Sequence, residues 1–206
     1  MSLHVVDHPL IRHKLGLLRA KTTAPAAFRR ILSEVAALLS YDALRDLELV
    51  EIEIETPLEK MRAWRLARPI TVVPVLRAGL GLANAVLELL PEARVGHVGI
   101  RRDETTAQPE HYYMRLPEDI AAGPVLVTDP MIATGGSACA AIANLRQRGC
   151  RDIRMMCLVA APEGIKRLEC EHPELPVFAA ALDRTLDEKH YIRPGLGDAG
   201  DRIFGT

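Results

Sequence analysis

"PVLVTDPMIATGGSACAAIANLRQRGCRDIRMMCLVA" (residues 124–160) is a strand, a helix and a second strand written in succession. PVLVTD (124–129) is a continuous apolar run that ends in one carboxylate, Asp129. ATGGS (133–137) then supplies small, glycine and hydroxyl residues, GSACAAIANLRQRG reads as a helix closed by Gly149, and IRMMCLVA (153–160) is a second, mostly apolar run. Apolar runs of strand length without polar alternation suit strands buried on both faces.

The same unit recurs on either side. ITVVPVL (70–76) leads through GLGLANAVLELLP, with Leu80, Val86, Leu87 and Leu90 ahead of Pro91, to RVGHVGI (94–100). PEGIKRLECEHP follows as another helix and VFAAALD (177–183) as another strand. Strand–helix–strand repetition of this kind predicts an α/β fold with a doubly wound sheet, whose ligands sit at the carboxyl ends of the strands. Nearer the N-terminus, AAFRRILSEVAALLS places Phe28, Ile31, Leu32, Val35, Leu38 and Leu39 at helical spacing. LVEIEIE (49–55) alternates strictly, which predicts a half-exposed strand at an edge or in a small lobe.

Composition narrows the function. A chain of 206 residues, 49% hydrophobic and 26% charged, can bury a core as one globular domain. A formal net charge of -1 provides no overall basic field, so we expect no nucleic-acid partner and a local grip on any polyanion. No apolar segment approaches the roughly 20 residues that span a bilayer, and the N-terminal MSLHVVDHPLIRHKLGLL is too charged for a signal peptide. We expect no membrane partner. The cysteines, Cys139, Cys150, Cys157 and Cys170, show no CxxC spacing and predict reduced, buried cytosolic thiols rather than a zinc site or disulfides. The histidines show no ligand spacing, and none is assigned a catalytic role.

The end of the 124–129 strand is where chemistry is expected. Helix N-termini gather free N–H groups and favour negative charge, glycines allow close approach, and Thr134 and Ser137 add hydroxyl donors. ATGGS therefore predicts a phosphate cup; the plainer alternative is a tight turn with an ordinary serine cap. No Lys follows a Gly as a Walker A loop requires. GLGDAG (195–200) matches GxGxxG but lacks the acidic residue about 20 positions on, so we expect an irregular loop with exposed amides. Arg77 in VLRAG could grip a second anion or serve as an ordinary ion-pair partner. IRRDETTAQPEHYYMRLP (100–117) suits either a mobile lid carrying Arg101 and Arg102 or a plain solvated loop.

VLRAGLG, DPMIATGGS, LVAAPEGI and YIRPGLGDAGDRIFGT together resemble the signature segments of the uracil phosphoribosyltransferase family, in order and separation, and HPLIRHKLGLLRAKTT extends the likeness toward the N-terminus. The resemblance implies a type I phosphoribosyltransferase fold: a mostly parallel sheet flanked by helices, with a small hood lobe over the carboxyl edge, all within one domain spanning residues 1–206. N- and C-terminal segments would build the hood. It implies the cytoplasmic salvage reaction of uracil with 5-phosphoribosyl 1-diphosphate (PRPP), giving UMP and diphosphate, with Mg²⁺ held mainly by substrate oxygens. It further implies a homo-oligomer and, as in some members, a GTP effector.

Carried onto this sequence, the resemblance assigns PRPP to Arg77, Arg102, Asp129, Pro130, Met131, Ile132, Ala133, Thr134, Gly135, Gly136, Ser137 and Asp198. Asp129 would address the ribose hydroxyls, and Arg77 and Arg102 the diphosphate. Uracil would meet the backbone at Ile192, Gly197, Asp198 and Ala199. Asp129, Arg77 and Asp198 form the implied catalytic set. The superfamily commonly has two adjacent acidic residues at this strand end, whereas here Asp129 precedes Pro130, so no protein metal ligand is assigned.

Overall fold

The structure is a computed structural model that describes residues 2–102 and 109–206; the side chains of residues 101, 102, 109 and 111 lie outside the described set. In chain order come β1 (Ser2–Val5), α1 (Pro9–Arg19), α2 (Pro25–Ala43), β2 (Leu49–Glu55), β3 (Lys60–Leu66), β4 (Thr71–Leu76) and α3 (Leu80–Leu89). There follow β5 (Arg94–Val95), β6 (His97–Arg102), β7 (Pro109–Arg115), β8 (Val125–Thr128), β9 (Met131–Ile132), α4 (Gly136–Gln147), β10 (Ile153–Ala160) and α5 (Pro162–Glu171). The chain closes with β11 (Pro176–Leu182), β12 (Thr185–Leu186), β13 (Ile192–Arg193) and α6 (Ala199–Phe204).

The main sheet runs in the order β1-β11-β10-β8-β4-β6-β7. Its pairings are parallel except for the last, β6 with β7. The apolar runs explain why: β8 is buried at every position, as is β10, because helices cover both faces. Successive residues split between the faces. Val72, Leu126 and Met156 pack beneath α1, α2, α3 and α6, whereas Val73, Val127 and Met155 pack beneath α4 and α5. That alternation is the period of two of a strand applied to a two-sided core.

Three expectations change. The 100–117 stretch is strand at both ends, β6 and β7 pairing antiparallel from His97↔Arg115 to Arg102↔Pro109, because HYYMR carries strand-forming aromatics. LVEIEIE forms its strand apart from the main sheet, as the small-lobe alternative expected, but is mostly exposed rather than half-exposed: it pairs only with β3 in a two-stranded hairpin. Its apolar face, with Val50, Ile54 and the opposing Met61, is exposed in the single chain. Finally, all four cysteines are free but Cys170 is exposed. α5 turns Ile165 and Leu168 inward, and the helical period carries residue 170 to the outer face.

Candidate active site

Parallel pairing of β4 with β8, Val73 against Val127 and Pro74 against Thr128, brings two strand ends to one edge of the sheet. Arg77 leaves from the first and Asp129 from the second. The exits are held together by Thr128 Oγ1, which donates to the Gly79 carbonyl at 3.0 Å. Gly79 is required there, since an added Cβ would stand 2.3 Å from the Thr128 carbonyl oxygen.

Beyond Asp129 the backbone is fixed from below. The Pro130 carbonyl accepts from Leu158 N at 3.0 Å and the Ile132 carbonyl from Ala161 N at 2.9 Å. The chain then turns through Gly135, at φ +77°, into α4. A side chain at 135 would be strained by that φ and would meet the Gly164 carbonyl of α5 at 2.8 Å. Residues 129 and 131–138 line a concavity of about 100 Å³. No side chain caps α4, which disposes of the ordinary serine cap. The first helical bond is Cys139 N to the Gly135 carbonyl at 2.9 Å, so the amides of Gly136, Ser137 and Ala138 precede the helix's own bonding. Thr134 and Ser137 are half-buried at the rim of the concavity. Such a terminus suits a phosphate group in charge and size.

Asp129 is partly buried and has one internal partner, Met131 N, which donates to Oδ1 at 3.3 Å. Burial pushes its carboxyl up to about 7, and the Met131 amide only partly opposes this. A carboxyl so poorly solvated is poised to accept hydrogen bonds from incoming hydroxyls.

The C-terminal segment lies at the same edge. Arg77 is exposed at the strand end, with its Cζ 5.6 Å from the Phe204 ring of α6. Ile192 and Ala199 have buried side chains, so any ligand contact they make is through main chain. Asp198 is exposed and caps α6, its Oδ1 accepting from Asp201 N at 2.9 Å. Residues 198–200 thus open a helix, where the sequence suggested only an irregular loop. The structure thus sets Arg77 and Asp129 at the ends of neighbouring strands, gathers residues 129 and 131–138 around one concavity, and brings α6 to Arg77 through Phe204. The side chain of Arg102 lies outside the described residues.

Sequence reasoning missed the residues that hold this segment. Arg19 makes a two-pronged pair with buried Asp183, Nη1–Oδ2 at 2.8 Å and Nη2–Oδ1 at 2.5 Å, and also donates to the Gly195 carbonyl at 2.7 Å. Asp183 Oδ2 accepts from Gly195 N at 2.9 Å. Arg202 donates to the carbonyls of Leu18, Leu196 and Ala20, and lies 4.4 Å over the Phe28 ring. Arg19 stands 164 positions from Asp183 and Arg202 stands 182 from Ala20, and no local spacing signals such pairs.

A mostly parallel sheet flanked by helices, with one antiparallel edge strand, is the fold of the phosphoribosyltransferase class. The fold is shared with a hypoxanthine-guanine phosphoribosyltransferase from Bacillus anthracis, TM-score 0.52 at 15% identity over 75% of this chain and 78% of that one. Within the class, the chain belongs to the uracil phosphoribosyltransferase family, whose family model matches residues 5–206. Relatives named uracil phosphoribosyltransferase include one from Acholeplasma laidlawii, 52% identical, and one from Staphylococcus aureus strain Newman, 51% identical; each alignment covers 100% of this chain and 99% of the relative. A solved protein from Aquifex aeolicus is 38% identical with TM-score 0.95, covering 100% of this chain and 99% of that one.

Proposed function

We propose that this chain transfers the 5-phosphoribosyl group of PRPP to uracil, releasing diphosphate and UMP for pyrimidine salvage. The observation that carries the reading is the uncapped N-terminus of α4, opening through Gly135 directly beyond Asp129. The 5-phosphate accepts from the amides and hydroxyls of residues 134–137, and the ribose hydroxyls donate to Asp129. Arg77 and Arg102 take the diphosphate, and the 192–199 backbone, with Asp198, takes uracil. The reaction needs no covalent nucleophile. Leaving-group departure develops positive charge on the ribose ring and negative charge on diphosphate, which Asp129 and Arg77 respectively stabilise once both substrates are positioned.

Mg²⁺ fits this site through oxygen chemistry. Asp129 offers one hard carboxylate, and the Pro130 that follows brings no second one, so substrate oxygens and water would complete the shell. When bound, the ion would neutralise charge on the leaving diphosphate. We take the terminal segments, which hydrogen bonds of Arg19 and Arg202 join to each other, to be the hood of a single domain. No described helix is long and apolar enough to cross a membrane, in keeping with a cytoplasmic site of action.

Purified protein with Mg²⁺ is expected to convert labelled uracil and PRPP to UMP. No turnover above a heat-killed control overturns the enzymatic reading, and turnover of hypoxanthine in place of uracil overturns the base assignment. The same assay with added GTP reads out the effector response.

We also propose a homo-oligomer built with the β2–β3 hairpin. Leu58 is 95% exposed and Trp64 65% exposed on that hairpin, alongside Met61 and Ile54, which is more apolar surface than an isolated two-stranded ribbon tolerates. Sedimentation velocity is expected to give a mass of at least two chains, falling to one chain in Leu58→Asp/Trp64→Asp. A wild-type monomer contradicts the assembly.

A further inference from the structure

Beneath the cup, α4 and the end of α5 meet at a cluster the proposed reaction does not use. His172, the C-cap of α5, is only 6% exposed, and its Nε2 lies 3.1 Å from the Cys139 carbonyl oxygen. A carbonyl only accepts, so Nε2 carries the proton and Nδ1 keeps its lone pair. Among the described residues, Nδ1 is buried and has no hydrogen-bond partner. Buried polar atoms in native folds almost always have one, so this nitrogen points to a missing ligand. Among the described residues, Cys139 Sγ, a carboxylate oxygen of Glu171 and a ring nitrogen of His172 lie within 4.8 Å of one another. Cys139 is buried, while Glu171 opens the cluster to solvent. Arg167 Nε holds Glu171 Oε1 at 2.7 Å and so orients the carboxylate.

We propose that Cys139, Glu171 and His172 form a binding site for a thiophilic divalent cation of the zinc class, with solvent as fourth ligand. Thiol, imidazole and carboxylate together match the donors of zinc rather than those of magnesium, so the site is chemically separate from the oxygen-lined cup. A metal-bound histidine usually donates its second ring N–H to a carbonyl or carboxylate, the arrangement Nε2 already has with Cys139. Ligand atoms on tetrahedral zinc stand roughly 3.3–3.8 Å apart, so side-chain adjustments of about 1 Å complete the geometry. A bound ion would clamp the first turns of α4, which form the cup, to the end of the helix whose Gly164 supports Gly135.

Cobalt(II) is the probe, because a thiolate bound to it gives a charge-transfer absorption in the near ultraviolet. Full-length protein titrated with Co²⁺ under reducing conditions is expected to develop this band, saturating at one ion per chain and lost on adding Zn²⁺. Cys139→Ser is expected to abolish the band and Glu171→Gln to weaken Co²⁺ binding at least tenfold, while Cys170→Ser, which removes the exposed thiol of α5, leaves it unchanged. No band in the wild type, a band that survives Cys139→Ser, or unchanged affinity in Glu171→Gln overturns the site. Glu171 lies on the surface, so its variant keeps the test decisive if Cys139→Ser does not fold. Uracil turnover is measured separately, and failure of this site leaves the proposed reaction standing.

Discussion

Gly135→Ala is expected to lower UMP affinity by about 100-fold or more while leaving the much weaker binding of uridine nearly unchanged. Residue 135 adopts φ +77°, where a Cβ costs on the order of 1–2 kcal/mol, and the new methyl would stand 2.8 Å from the Gly164 carbonyl. Neither can yield cheaply, because the methyl is fixed to its Cα and the carbonyl belongs to the backbone of α5. The turn must shift, and with it the amides of 136–138 that the phosphate meets. Two charge-assisted hydrogen bonds at about 1.5–3 kcal/mol each account for a loss of that size. Uridine lacks the phosphate and does not sense the change. The melting temperature is expected to fall as well, and an alanine variant with wild-type UMP affinity and stability would refute the backbone cup.

Asp129→Asn is expected to cut kcat/KM for PRPP by about 10²–10³-fold while making the unliganded protein more stable at pH 8. The activity loss follows from removing the carboxylate proposed to face the ribose and its developing positive charge. The stability gain follows from linkage. With the folded carboxyl at about 7 against an ordinary 3.8, the group costs nothing below about pH 4, where both states hold the proton. As pH rises toward 7 the unfolded chain ionises first, and folding must increasingly retain or strand that charge, so stability is lost across this window. Full transfer would be worth about 4 kcal/mol, and the opening of the side chain to the cup reduces it to about 1–3 kcal/mol. Asparagine never ionises, so its melting temperature at pH 8 should exceed the wild type's by a few degrees and the gap should close near pH 4. Equal melting temperatures at both pH values, or undiminished turnover, contradict the role given to Asp129.

The central strands and the cup were legible in the sequence because each is encoded locally. IRMMCLVA is β10 residue for residue: seven of its eight residues are apolar, and the one charge, Arg154, is buried against Asp46 and the Ala43 carbonyl. ATGGS carries its own backbone instructions, a left-handed glycine followed by a helix start. β1 was not legible, because Ser2–Val5 becomes a strand only by adding to β11 at the sheet edge, a pairing across the whole chain. β3 was equally hidden, as KMRAWRL mixes charges with apolar residues and is fixed by its partner. Arg19, Asp183 and Arg202 read as ordinary charges until folding sets them around Gly195 and Leu196. His172 and Cys139 lie 33 positions apart, a separation that no ligand spacing would flag.

Calorimetric titration of the wild-type protein with UMP and with uridine tests most directly whether the amides beyond β8 hold the nucleotide's phosphate. UMP is expected to bind at least 100-fold more tightly than uridine, with the difference lost in Gly135→Ala. Equal affinities in the wild type, or a difference that the glycine substitution leaves intact, would place the phosphate elsewhere and contradict the account.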